Sequence, residues 1–342
     1  MKLIIQIPCY NEEETLPIAL ANLPTRIEGI DEIETLVIND GSTDRTAEVA
    51  MENGVHHIVN FRCNKGLAYA WAAGLDASLR AGADIIVNTD GDNQYCGADI
   101  EKLVRPILEG KAEMVIGARP IESIEHFSAL KKRLQRLGSW VVSKCAGFPV
   151  DDAVSGFRAY SSEAARGLNL VTAYSHCTET LIRARKRGIK VKSVPIRVNE
   201  ELRESRLITS LPNYLWRQGR DIFRILTMIH PLKVFCLPAL LFLLVGTAGC
   251  VRFLYFYFVG RGGGHIQSLI FSTIFIVVAF VLIVAGLAAD LISGNQQLIE
   301  DVLSRIKKLE EQGEQNAARQ ASISRMGDHA EERHVSGFDR RG

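Results

Sequence analysis

The sequence predicts an α/β domain on a mostly parallel sheet, followed by a pair of helices that cross a membrane. Three observations predict it. Short runs rich in Ile and Val alternate with helical patterns in the N-terminal part of the chain, the signature of strands joined by crossover helices. The polar residues able to carry chemistry fall just after those runs. Residues 234–292 are almost uncharged. Composition closes off other classes. Lys+Arg 40 against Asp+Glu 39 leaves a net charge of +1, so no global field recruits nucleic acid. Hydrophobic content of 47% with 23% charged residues is that of an ordinary folded chain, which excludes overall disorder, collagen and a disulfide scaffold. The cysteines Cys9, Cys63, Cys96, Cys145, Cys177, Cys236 and Cys250 form no CxxC pair and fit reduced thiols on the cytosolic side.

Strands are predicted over residues 3–7, 34–38, 57–59, 84–88 and 113–116, with helices over 13–23, 43–53, 67–81 and 97–109. The opening MKLIIQIPCYNEEE is too briefly apolar for a signal peptide and reads as the first strand. Sheets of this kind bind ligands at the carboxyl ends of their strands. Residues 8–12, 39–42 and 89–92 all fall there, so separate loops converge on one edge. In the second loop Gly41 makes a tight turn, and Ser42 or Thr43 caps the following helix beside Asp44. Capping does not explain Asp40, which stands at the strand end. Asp90-Gly91-Asp92 is the sharper signal. Two neighbouring carboxylates at a strand end repel unless a cation joins them, and Mg²⁺ or Mn²⁺ takes one or two carboxylates with phosphate oxygens. A solvated turn is the bland alternative, and the position at a strand end weighs against it.

The stretches 234–259 and 266–289 each exceed the roughly 20 apolar residues that a bilayer requires. Arg252 would cost about 2.5–3.5 kcal/mol at mid-membrane, and its place late in the first stretch lets it snorkel. The glycine-rich link 260–265 makes a tight hairpin with both ends on one side. Arg217, Arg220, Arg224 and Lys233 before it, and Arg305, Lys307 and Lys308 after it, place the N-terminal domain and both termini in the cytoplasm, on an inner (plasma) membrane. Residues 211–233 read as an amphipathic interfacial helix with a basic face. Within 293–312, Ile299, Val302, Ile306 and Leu309 follow heptad spacing, which predicts a homo-oligomer of up to four chains. Residues 313–342 read as a disordered tail.

The chain has no GxGxxG after a strand, no GxxxxGK[ST], no HExxH and no GxSxG. Dinucleotide oxidoreductases, P-loop ATPases, zinc proteases and common serine hydrolases are therefore poor fits. What it has is an ordered set: PCYNE at 8–12, INDGSTDRT at 38–46, NKGLAYAWAAG at 64–74 and TDGDNQY at 89–95. Later come GAR at 117–119, SGFR at 155–158, TET at 178–180 and Ser205-Arg206. This set resembles the family-2 glycosyltransferases, in the polyprenyl-phosphate branch that includes dolichol-phosphate mannose synthases.

The resemblance implies a GT-A (Rossmann-like) domain over residues 1–210. It also implies inverting transfer from a UDP- or GDP-linked sugar to a polyprenyl phosphate, giving a lipid-linked monosaccharide for cell-envelope or glycan assembly. Pro8, Tyr10, Glu12, Asp40 and Lys65 would then hold the nucleotide sugar, with Gln94 in the sugar pocket. Asp90 and Asp92 would take the ribose and the metal-bound diphosphate. Arg119, Arg133 and Arg206 are the candidates for acceptor phosphate and leaving diphosphate, Arg136 being an alternative to Arg133. Arg158 reads as structural, bonding backbone carbonyls behind the metal loop. Asn39 stands where the family more often has the first Asp of a DDG triplet. A transferase acting on a glycan hydroxyl is the alternative, disfavoured because no QxxRW motif is present.

Overall fold

The computed structural model describes residues 1–120, 138–144, 146–168, 176–199, 230–260 and 266–295, with isolated positions between 220 and 227 and between 298 and 306. Its centre is a sheet of seven strands: β1 (Lys2–Cys9), β2 (Glu32–Asn39), β3 (His57–Asn60), β4 (Ile85–Asn88), β5 (Met114–Ala118), β6 (Arg158–Ser161) and β7 (Val191–Pro195). The order across the sheet is β3-β2-β1-β4-β6-β5-β7. All neighbours are parallel except β6, which runs antiparallel to both β4 and β5. The α/β mostly parallel prediction therefore holds, with one reversed strand added.

Sheet faces follow from the alternation of side chains along each strand. Leu3, Ile5, Ile7, Val37, Val87 and Val115 point to one core, which α4 (Ile100–Leu108) closes with Ile100, Leu103 and Val104. Ile4, Leu36, Ile38, Ile86 and Ile116 point to the other, closed by Trp71 and Leu75 of α3 (Leu67–Arg80). Strands β1 and β4 are buried on both sides, which explains why they read as continuous apolar runs. Register brings Cys9 level with Asn39 and Gln6 level with Asn88, so the loops after β1, β2 and β4 emerge on one edge.

Two helices begin later than the periodicity predicts. Helix α1 spans Leu16–Ala21 and α2 spans Thr46–Glu52. Residues at and just before the predicted starts are held between the loops instead: Ser42 Oγ accepts from the Asn11 amide, and the Thr43 amide donates to Asn11 Oδ1. Neither Ser42 nor Thr43 caps α2, whose N-cap is Arg45; Asp44, one residue before it, accepts from the Thr46 amide at 3.0 Å. The short strands β6 and β7 carry no Ile/Val run of the kind found in β1. Helices α5 (Ser162–Gly167) and α6 (His176–Lys186) accompany them on the α3 face.

Two further helices, α7 (Pro231–Phe258) and α8 (Ile266–Asn295), are long and apolar enough to cross a membrane. They pack antiparallel. Phe242 stacks on Phe275 with ring centroids 5.7 Å apart, and the Gly246 and Gly249 backbones lie against Ser272. Small residues at the seam allow this approach, as in membrane helix pairs generally. Residues 298–299 and 305–306 are helical, whereas Leu309, the tail 313–342 and most of 211–229 lie outside the described residues.

Candidate active site

The carboxyl edge is built by stitching loops together. The Glu12 amide donates to Thr46 Oγ1 at 2.8 Å and the Glu13 amide to Asp44 Oδ2 at 3.1 Å, tying the loop after β1 to the loop after β2. Glu12 is buried and accepts from Thr15 Oγ1 at 2.6 Å. Asp40 is buried, and its two oxygens accept from the Lys65 and Gly66 amides at 2.7 and 2.9 Å. It therefore fixes the start of α3 as well as facing the edge. Asn39, in the place of an acid, donates to Asn60 Oδ1 and accepts from the Ser42 amide, so the turn closes with neutral groups. Tyr10 is exposed at the edge, whereas Pro8 is buried inside β1 opposite Ile38. Lys65 is exposed, its Nζ 4.9 Å from the Phe61 ring centroid.

Gly41 makes the stitching possible. Its φ is +66°, and a Cβ there would lie 2.3 Å from the Cys63 carbonyl carbon. Gly41→Ala is expected to destabilise the fold by about 2–4 kcal/mol, because a left-handed backbone and a backbone clash both oppose it. A thermal melt checks this, and an unchanged midpoint would show that residues 63–64 yield freely.

The loop after β4 carries the paired carboxylates. Asn88, fully buried, donates to the Gly156 carbonyl at 2.9 Å and accepts from Gln6 Nε2 at 2.9 Å. Gly156 packs on the Asp90 carboxylate, where a Cβ would sit 3.3 Å from Oδ1. Gly91 packs on Cys9 and Glu12. Desolvation raises the Asp90 carboxyl to about 7, and the negative Asp92 adds to it. Asp92 Oδ1 accepts from the Gln94 amide at 3.1 Å. The loop therefore concentrates negative charge in a poorly hydrated spot, which a cation relieves.

Opposite this loop lies a fixed positive charge. Arg119, at the end of β5, grips Asp152 through Nε (2.6 Å) and Nη2 (3.1 Å). Asp152 is fully buried and the Arg119 side chain only 15% exposed. Burial works against the guanidinium charge, but the charge of Asp152 and its hydrogen bond outweigh it and hold Arg119 protonated. Arg158 behaves as the sequence predicts. It is fully buried and donates to the carbonyls of Ser155, Cys177 and Ala153. That joins the turn beneath Asp90 to the start of α6. There His176 stacks on Trp71, and burial followed by the Arg158 charge pushes its ring down to about 4, which keeps it neutral.

The structure thus brings Tyr10, Glu12, Asp40, Lys65, Asp90, Asp92 and Gln94 to loops of one edge, joined by Arg119 from β5. Arg133, Arg136 and Arg206 lie outside the described residues. Sequence reasoning missed Asp152. An acid three residues before the SGFR run was the available signal, since a buried arginine requires a partner. Among the described residues no group of three or more His, Cys, Asp or Glu could hold a metal ion. Two carboxylates, one of them raised by its surroundings, suit a hard cation whose remaining positions are filled by ligand phosphates.

Known proteins agree with this architecture. Residues 4–168 match the model of glycosyl transferase family 2. The chain is 32% identical over 213 residues to the UDP-N-acetylglucosamine–dolichyl-phosphate N-acetylglucosaminyltransferase of Methanococcus voltae, covering 56% of this chain and 83% of that one. It is 28% identical over 218 residues to the undecaprenyl-phosphate mannosyltransferase of Micrococcus luteus, covering 60% of this chain and 88% of that one. Among solved structures, glucosyl-3-phosphoglycerate synthase from Mycobacterium tuberculosis, in complex with Mn²⁺, UDP and glucosyl-3-phosphoglycerate, superposes with a TM-score of 0.51 at 21% identity, covering 66% of this chain and 78% of that one; this supports the fold. With its GT-A-like sheet, its ordered loops on one edge and this sequence kinship, the chain belongs to glycosyl transferase family 2.

Proposed function

We propose that this glycosyltransferase moves a sugar from a nucleotide sugar to a polyprenyl phosphate at the membrane surface, with inversion at the sugar carbon. One observation carries the reading: paired carboxylates and a locked arginine share a strand-end site in a chain that also has two apolar, antiparallel helices. The relatives named for dolichyl-phosphate and undecaprenyl-phosphate transfer support the acceptor class.

The chemistry follows from the charges. A phosphate monoester has a second pKa of about 6, so its oxygen is anionic near neutral pH and requires no strong general base. That oxygen attacks the anomeric carbon as the bond from this carbon to the donor diphosphate breaks, and the nucleoside diphosphate leaves with the bonding electrons. Tyr10, Glu12, Asp40 and Lys65 hold the nucleotide end of the donor, and Gln94 faces the sugar. Asp90 and Asp92 would hold Mg²⁺ or Mn²⁺, which when bound neutralises the diphosphate as its charge grows. Arg119, kept charged and oriented by Asp152, offers a fixed positive field to the same anions. Arg133 and Arg206 supply further charge for the acceptor phosphate. The apolar hairpin keeps the site beside the bilayer, with both termini on the cytoplasmic face.

Purified protein in detergent, given Mn²⁺, UDP- and GDP-sugars and undecaprenyl phosphate, is expected to form a chloroform-soluble glycosylated lipid. Excess EDTA is expected to abolish it. Transfer that persists undiminished with EDTA would rule out the cation, and transfer to glycan hydroxyls alone would rule out the acceptor.

A further inference from the structure

Residues 93–96 form no regular strand, yet a ribbon from the end of β7 zips onto them. Tyr95 bridges Val198 antiparallel, and the Cys96 amide donates to the Arg197 carbonyl. The Asn199 amide N–H donates to the Gln94 carbonyl at 2.9 Å. The Asn199 side chain then completes what the backbone leaves unpaired. Its Nδ2 donates to the carbonyls of Asn93 (2.9 Å) and Tyr95 (3.2 Å), and lies 3.4 Å from Asn93 Oδ1. The ribbon is anchored two residues before Asn199 by Asp99, fully buried, which accepts from the Arg197 amide at 2.6 Å and from its guanidinium.

The loop needs such a restraint. Asn93 has a left-handed φ of +58°, an uncommon state for a residue with a Cβ. On the other side, Asn22 Nδ2 donates to Asn93 Oδ1 at 3.0 Å. Gly97 lies so close to the chain of α1 that a Cβ would fall 2.1 Å from the Asn22 carbonyl oxygen. The segment that carries Asp92 and Gln94 is therefore gripped from two directions, and the Asn199 amide reaches two of its carbonyls at once.

We propose that Asn199 is a positioning residue for the transfer: it fixes the backbone of residues 92–95 so that Asp92 and Gln94 present to the donor. This rests on the reading of Asp90 and Asp92 as holders of a cation and diphosphate. Asn199 also immediately precedes the segment leading to Arg206, so one side chain joins the donor loop to a stretch assigned to the acceptor.

The test uses the full-length protein in detergent and Mn²⁺ as the probe, titrated with UDP and in parallel with GDP, free Mn²⁺ being read by its EPR signal. Asn199→Ala, which loses two hydrogen bonds to carbonyls, is expected to weaken Mn²⁺–nucleotide binding about tenfold and to lower kcat about tenfold. The KM for undecaprenyl phosphate stays within about twofold of wild type, and Asn199→Ser, which retains one donor, falls between. A residue that served stability alone would lower the melting temperature and leave Mn²⁺ binding unchanged well below it; that result overturns the proposal. Asp92→Ala in the same titration separates the two ways of failing. If it binds like wild type, the cation assignment itself is wrong. If it loses binding while Asn199→Ala keeps it, only the positioning role is wrong.

Discussion

Asp92→Ala is expected to lower turnover at least about 100-fold while the melting temperature stays within a few degrees of wild type. The rate effect follows from removing a preorganised charge where the diphosphate leaves, a class of change that typically costs 10²–10³ in kcat. The mild stability effect follows from the environment. Asp92 is part-exposed, and its negative charge helps to hold the neighbouring Asp90 carboxyl above its ordinary range. Removing it relieves that repulsion in the cation-free protein. Asp92→Asn, which keeps the oxygen that accepts from Gln94, is expected to lose nearly as much activity. Lipid-linked product measured by mass spectrometry, alongside a thermal melt, decides the matter: near-normal turnover in either variant would move the diphosphate elsewhere.

Asp152→Ala is expected to do double damage. It strands the Arg119 guanidinium in a site where only 15% of the side chain meets solvent. Leaving one partner of a buried pair typically costs about 3–5 kcal/mol, and turnover is expected to fall at least tenfold as the cation loses its orientation. The double variant Asp152→Leu/Arg119→Met separates the two effects. Replacing both charges by apolar groups of similar volume removes the uncompensated charge, so most of the stability should return. Turnover should stay low, because the field itself is gone. Recovery of turnover in the double variant would show that Arg119 serves the fold and not the transfer.

Much of this was legible in the sequence, for identifiable reasons. β1 and β4 announced themselves because both of their faces are buried, leaving continuous apolar runs, and β2 because its second half is buried. The loops after them stood out because no local capping or packing rule read from the sequence accounts for Asp40, Asp90 and Asp92 at strand ends. The reversed strand β6 escaped notice because Arg158-Ala-Tyr-Ser is buried through an arginine and a tyrosine, which period-two hydrophobicity does not flag. Helix starts were misplaced for a related reason. Ser42, Thr43 and Asn11 bond across between loops, and local capping rules do not see partners about thirty residues away. Asp152 and Asn199 lie farther still from the residues they serve, at separations of 33 and 106 positions, and only the fold brings them in.

The reversal of β6 has an architectural consequence. Because β5 and β6 are antiparallel neighbours, with Ile116 opposite Arg158, the stretch between them departs from and returns to the same rim of the sheet. Near its two ends, Arg119 binds Asp152 and Gly156 packs on the Asp90 carboxylate. A segment anchored at a single rim behaves as an exchangeable cassette. A change in its length is absorbed at that rim without shifting a strand.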